Sequence, residues 1–140
     1  MRMFRTTPRP QLRARMNLYD DPAHDPAFFI KYLSAGERQR LLDQHTKLVY
    51  YPKPDKPGEY IEHRETDSLM AVTAIAERAV VEWENITDDA GMVVPFSITQ
   101  LREWLLQGEE LYLWFAGRLP QIFREFDALL DAQQAAAAKN

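Results

Sequence analysis

The chain has 140 residues, 46% of them apolar and 27% charged, with nine Pro, five Gly and no Cys. A chain of this length is expected to form one domain that buries enough surface to fold without a metal or a disulfide. The missing cysteines exclude thiolate zinc sites, iron–sulfur clusters and cysteine nucleophiles.

The formal net charge of −4 is unevenly spread: residues 1–19 hold five Arg and no acid, whereas residues 77–131 hold eleven acids against four Arg. A body that acidic repels phosphate backbones, so nucleic acid is not expected as the main partner. No apolar run reaches the ~18 residues of a membrane span, and the first residues lack a signal-peptide hydrophobic region. Together with the absence of cysteine, this points to a soluble protein of the cytoplasm that does not touch the membrane.

In chain order, residues 1–19 read as an Arg-rich flexible leader, because Pro8 and Pro10 interrupt any helix and the apolar residues are scattered. Residues 20–26 (Asp-Asp-Pro-Ala-His-Asp-Pro) form a turn-rich connector. Its His24 and three carboxylates match no known ligand spacing, so no metal is expected there. Phe28–Leu33 is aromatic and β-branched and reads as a strand or extended segment. Ser34 with Glu37 three positions on is a capping box, which starts a helix running from Ala35 to about His45.

Between Lys47 and Glu65, Pro52, Pro54, Pro57 and Gly58 break any regular pattern. A long exposed loop is expected, with at most a frayed ribbon of residues 48–51 against 59–62 at its base. Thr66 or Asp67 then caps the clearest helix. Its apolar positions Leu69, Val72, Ala76, Ala79, Val80 and Trp83 fall on one stripe at the helical period. An Asp-rich turn ending in Gly91 follows, and Val94 before Pro95 must be extended. Ser97 and Gln100 form a second capping box, with Phe96 and Leu101 as its hydrophobic staple. A helix through Trp104 and Leu105 ends at Gly108, and another begins at Glu109-Glu110. Gly117 and Pro120 should kink or split that last helix.

These elements predict a mainly α fold of about four to five helices. At most a short extended segment or β-ribbon is expected near residues 28–33 and 47–62. Residues 20–134 would be a single helical domain, and residues 135–140 a frayed Ala-rich tail.

No motif carries chemistry. HExxH, a Gly-rich phosphate loop and GxSxG are absent. Asp88-Asp89-Ala90-Gly91 departs from calcium-loop spacing, with Ile86 at the first ligand position and Ser97 where the bidentate Glu belongs. The expectation is a protein that is not an enzyme and uses no cofactor. Trp104, Tyr112, Trp114 and Phe115 are the candidate partner-binding residues, because Trp and Tyr dominate binding hot spots and adjacent helical positions cannot all face one core stripe.

One segment resembles a known family. Val81-Glu82-Trp83-Glu84-Asn85-Ile86-Thr87-Asp88-Asp89-Ala90-Gly91, followed by Val94-Pro95-Phe96-Ser97 and a Leu-rich helix, is similar to the tail assembly chaperones of long-tailed bacteriophages and prophages. Phe29–Glu37 also matches their N-terminal pattern. In that family the Trp-Glu ends a helix, and the motif residues Trp83, Asp88, Gly91, Pro95, Phe96 and Ser97 are structural. The resemblance implies a helical protein of the infected or lysogenic host cytoplasm. Such a protein coats the tape measure protein, recruits tail tube protein subunits, and leaves the finished tail. Self-association is compatible with that role. The competing expectations are a structural tail-completion or connector protein of the virion, and a small regulatory protein that uses the Arg-rich N-terminus on nucleic acid.

Overall fold

A computed structural model describes residues 12–138; residues 1–11 of the Arg-rich leader and the last two residues of the tail lie outside them. Strand β1 (Arg13–Asn17) falls within the stretch expected to be leader. Its polar and apolar residues alternate, and Met16 is fully buried, which is the period-two signature of a half-buried strand. The turn 20–26 brings the chain back as β2 (Ala27–Lys31), which pairs antiparallel with β1 so that Met16 lies opposite Phe28 and Ala14 opposite Ile30.

Ser34 caps helix α1 (Ala35–Gln44) as expected, its Oγ accepting the Glu37 N–H at 3.1 Å. Strands β3 (Thr46–Pro52) and β4 (Tyr60–Thr66) then form a separate two-stranded antiparallel ribbon, regular from Thr46↔Thr66 to Pro52↔Tyr60. The ribbon is longer than the frayed base expected, because the prolines fall at its end and in the turn and leave the strand interiors intact.

Asp67 caps α2 (Ser68–Ala79) by accepting the Met70 N–H at 3.2 Å. The helix stops at Ala79, and β5 (Val80–Glu84) follows without a loop. This strand joins β2 on the side opposite β1, giving a three-stranded sheet in the order β1-β2-β5. Helices α3 (Ile98–Gln107) and α4 (Glu109–Ala138) complete the described chain. Pro120 lies inside the single helix α4 instead of splitting it, with its ring on the exposed side.

The mainly α expectation is therefore overturned. Four helices and two antiparallel sheets make a mixed α/β fold, and the description all-alpha does not apply. The physical reason lies at Val80–Trp83. Two residues three apart share a face on a helix but oppose each other on a regular strand. Here Phe29 pairs with Glu82 while Ile30 pairs with Val80, so Val81 is an extra, bulged residue. The bulge turns both Val80 and Trp83 inward. An odd spacing that looks helical is thus satisfied by an irregular strand.

The core lies between the inner face of this sheet and the helices. Met16, Phe28, Ile30, Val80 and Trp83 from the sheet meet Leu101, Leu105, Phe115, Leu119 and Phe123 from α3 and α4. Among the described residues no helix is long and apolar enough to cross a membrane.

Candidate partner-binding surfaces

The motif residues build a rigid elbow between β5 and α3. Trp83, 5% exposed, stacks on Trp104 with ring centroids 5.0 Å apart and meets Phe96 edge-on at 5.0 Å. Its indole Nε1–H donates to the Val94 carbonyl at 2.8 Å, which ties the return limb of the elbow to the sheet. Asn85 adopts a left-handed conformation (φ 59°) and donates through Nδ2 to the Ala23 and Asp25 carbonyls. A miniature hairpin follows. The Val94 N–H donates to Ile86 O and the Asp88 N–H to Met92 O, both at 2.9 Å.

Asp88 Oδ1 accepts the Ala90 and Met92 N–H groups at 2.9 Å each, and Gly91 supplies the positive φ (79°) that the turn requires. Asp88 is thereby committed to the backbone, which accounts for its place in the motif without a metal. Ser97 caps α3 by accepting the Gln100 N–H at 3.2 Å. Pro95 is exposed, whereas Phe96 packs inward. The elbow projects Met92 and Val93, 66% and 77% exposed, into solvent.

Of the four aromatics expected to bind a partner, one, Phe115, belongs to the buried core. Phe115 is completely buried and lies edge-to-face with Phe28 at 5.1 Å, so its assignment as a partner-binding residue is corrected. Trp114 is half-buried against Phe28 and Phe115, and Trp104 is half-buried under Trp83. Tyr112 is also half-buried. Phe115 and Trp114 are drawn inward because the sheet presents Phe28 to α4, a demand for aromatic cover that an all-helical reading could not anticipate.

A polar clamp at Asp127, in the second half of α4, ties that helix to α1 and to Tyr32. Arg38 on α1 donates through Nη2 to both Asp127 oxygens, at 2.8 and 3.1 Å, while the Tyr32 hydroxyl donates to Oδ1 at 3.0 Å. The guanidinium also lies 4.9 Å from the Phe123 ring centroid. Desolvation opposes ionisation of Asp127, but the hydrogen bonds from Arg38 and Tyr32 and the Arg38 charge outweigh it and hold the carboxyl below its ordinary range. Burial, then the hydrogen bond to Asp127, pushes the Tyr32 phenol up. Next to this clamp, a small apolar groove between α2 and α4 is lined by Val72, Ile75, Leu119 and Phe123. It encloses about 170 Å³, below the ~300 Å³ at which ligand pockets begin.

His24 bonds Asp21 Oδ2 at 2.9 Å, and Asp21 and Asp25 accept backbone N–H groups of their own turn. No group of three or more potential ligands that could hold a metal ion occurs among the described residues.

The β3–β4 ribbon, expected as an exposed loop with a frayed base, is instead a regular two-faced surface. Neither strand contains a buried residue. Directly paired residues share a face, so Leu48, Tyr50, Pro52 and Tyr60 project on one side with Glu62 and Arg64. Val49, Tyr51, Ile61 and His63 project on the other. The second face carries its own polar links, a Tyr51 hydroxyl bond to Glu65 and a Lys53–Glu59 ion pair. Tyr50 and Tyr60, about 60% exposed, lie on the first. The available signal was the unbroken run Leu48-Val49-Tyr50-Tyr51, which loads both faces of a strand with apolar side chains.

No family model, curated protein or solved structure matches the chain.

Proposed function

We propose that the chain is a tail assembly chaperone: a non-catalytic protein of the bacterial host cytoplasm that covers apolar stretches of a tape measure protein and recruits tail tube subunits around it. The reading rests on the resemblance of residues 81–97 and 29–37 to that family. The observation that carries it is the elbow. Every conformationally demanding residue of the motif is used to hold a turn rigid, and the side chains so presented, Met92 and Val93, are apolar and solvent-exposed. A rigid apolar projection on an acidic body suits the capture of an apolar helical client, since binding costs little ordering and like charge keeps coated complexes apart.

Co-expression with a phage tape measure protein tests the reading. The client should remain in the soluble fraction with the intact chain, and aggregate with a Met92→Asp/Val93→Asp variant that still folds. A client equally soluble, or equally aggregated, with and without the chain would overturn it. Recovery of the chain in finished particles would replace it with the structural virion role.

A further inference from the structure

We infer that strand β4 is a self-pairing edge: two copies of this chain join β4 to β4 about a two-fold axis at His63 and form a continuous four-stranded sheet. This goes beyond the chaperone reading and does not depend on it.

The hydrogen-bond phase of the ribbon decides which groups face outward. The Lys53 N–H donates to Glu59 O at 2.9 Å and the Asp67 N–H to His45 O at 2.8 Å, so odd-numbered pairs are the hydrogen-bonded ones. By alternation, the even-numbered residues of both strands direct N–H and C=O away from the ribbon. On β3 this outward set includes Pro52, which has no N–H, and a proline at such a position blocks an edge. On β4 the outward set is Tyr60, Glu62, Arg64 and Thr66, with every N–H present.

Charge then selects the register. An antiparallel β4–β4 ladder must pair outward residues with outward residues. Centring it on residue 62 places Glu62 against Glu62, and centring it on residue 64 places Arg64 against Arg64. Only the register centred on His63 places Glu62 opposite Arg64 of the second copy, twice by symmetry, with Tyr60 opposite Thr66. Within one copy these two charges lie opposite Tyr50 and Leu48, and neither takes part in an ion pair among the described residues. Charged residues normally protect an edge. Opposite signs two positions apart instead make it self-complementary.

Net charge favours the same place. Residues 46–66 hold four basic and four acidic side chains, so two acidic bodies meet there without added repulsion. Strands of seven residues bury little area, so the dimer is weak and concentration-dependent.

Sedimentation equilibrium of the full chain across micromolar to millimolar concentration tests the pairing. The native chain should dimerise reversibly. Glu62→Lys alone, and Arg64→Glu alone, should each weaken dimerisation at least about tenfold. Mixing those two single variants should restore it, because each then meets an opposite charge, and the double variant Glu62→Lys/Arg64→Glu should dimerise like the native chain. All four side chains involved are exposed, and unchanged circular dichroism separates loss of pairing from loss of folding. A chain that stays monomeric at millimolar concentration overturns the inference. So does a dimer indifferent to the charge reversals, or one not rescued by mixing. Pairing of β4 with a client strand in place of a second copy overturns it as well.

Discussion

Trp83 lies directly opposite Phe28 across the β2–β5 ladder, their rings edge-to-face at 6.2 Å, and each reaches a different helix: Phe28 meets Phe115 of α4, while Trp83 stacks on Trp104 of α3. This one cross-strand pair therefore joins the sheet to both C-terminal helices. Trp83→Ala should destabilise the chain by about 3–5 kcal/mol. Trp83→Phe should cost less, because an aromatic ring still fills the site while the Val94 carbonyl loses its donor. Urea denaturation followed by circular dichroism measures both. A Trp83→Ala variant within ~1 kcal/mol of the native chain would show that the pair does not anchor the core.

Two glycines make opposite predictions. Gly91 has φ 79° at the tip of the elbow, and a Cβ there would meet nothing within 4 Å. The penalty of Gly91→Ala is then purely conformational, about 1–2 kcal/mol. Gly117 lies within α4, where a Cβ also meets nothing within 4 Å. Gly117→Ala should instead raise stability by roughly 0.5–1 kcal/mol through helix propensity. Thermal melts of the two variants should move in opposite directions from the native midpoint. Movement in the same direction would contradict the conformations assigned to these positions.

The contrast between these elements shows what was legible in the sequence. Ser34, Ser97 and the pair Thr66-Asp67, of which Asp67 is the cap, announced three helix starts because a cap is a local hydrogen bond between residues three apart. The strand at residues 27–31 was visible from its aromatic and β-branched run for the same local reason. Strand β5 was not, because its bulge gives it a helical spacing and the bulge exists only in the presence of β2. Strand β1 was hidden by charge: Arg13 and Arg15 look like leader residues until Arg15 pairs with Glu84 on the outer face of the sheet. The candidate surfaces divide similarly. The elbow motif was readable from its turn residues. The exposure of Tyr50 and Tyr60 was readable too, because the prolines and glycine around them predict an exposed segment. The burial of Phe115 was not, because it depends on which elements pack together, and that is decided by tertiary contacts.

The Arg38–Asp127 clamp predicts a specific acid sensitivity. The folded-state carboxyl of Asp127 is more acidic than the unfolded one. Its contribution to stability is therefore complete above the unfolded value near pH 4, and is lost as pH falls through the lower folded value. Asp127→Asn should lower the urea midpoint at pH 7. Because the carboxylate is 39% exposed, solvent screening keeps that loss modest. The gap between variant and native chain should close as the pH is taken well below 4. A gap that persists unchanged in acid would mean that the side chain acts through packing and not through its charge.

The ribbon should be removable. Neither β3 nor β4 contributes a buried side chain, and the core closes without them. Lys47 and Glu65 form a directly opposed, hydrogen-bonded pair by the ladder phase, and a two-residue type I′ turn closes a pair of that kind. Replacing residues 48–64 with Asn-Gly should therefore leave the body folded, within ~1 kcal/mol of the native chain. The same variant should be monomeric at every concentration, since the β4 edge is gone. It should still bind an apolar helical client if Met92 and Val93 at the elbow make that contact, because the elbow is anchored through Trp83 and Val94 and not through the ribbon. Loss of client binding together with self-association would instead locate both activities on the ribbon, and loss of cooperative unfolding would make the ribbon part of the core.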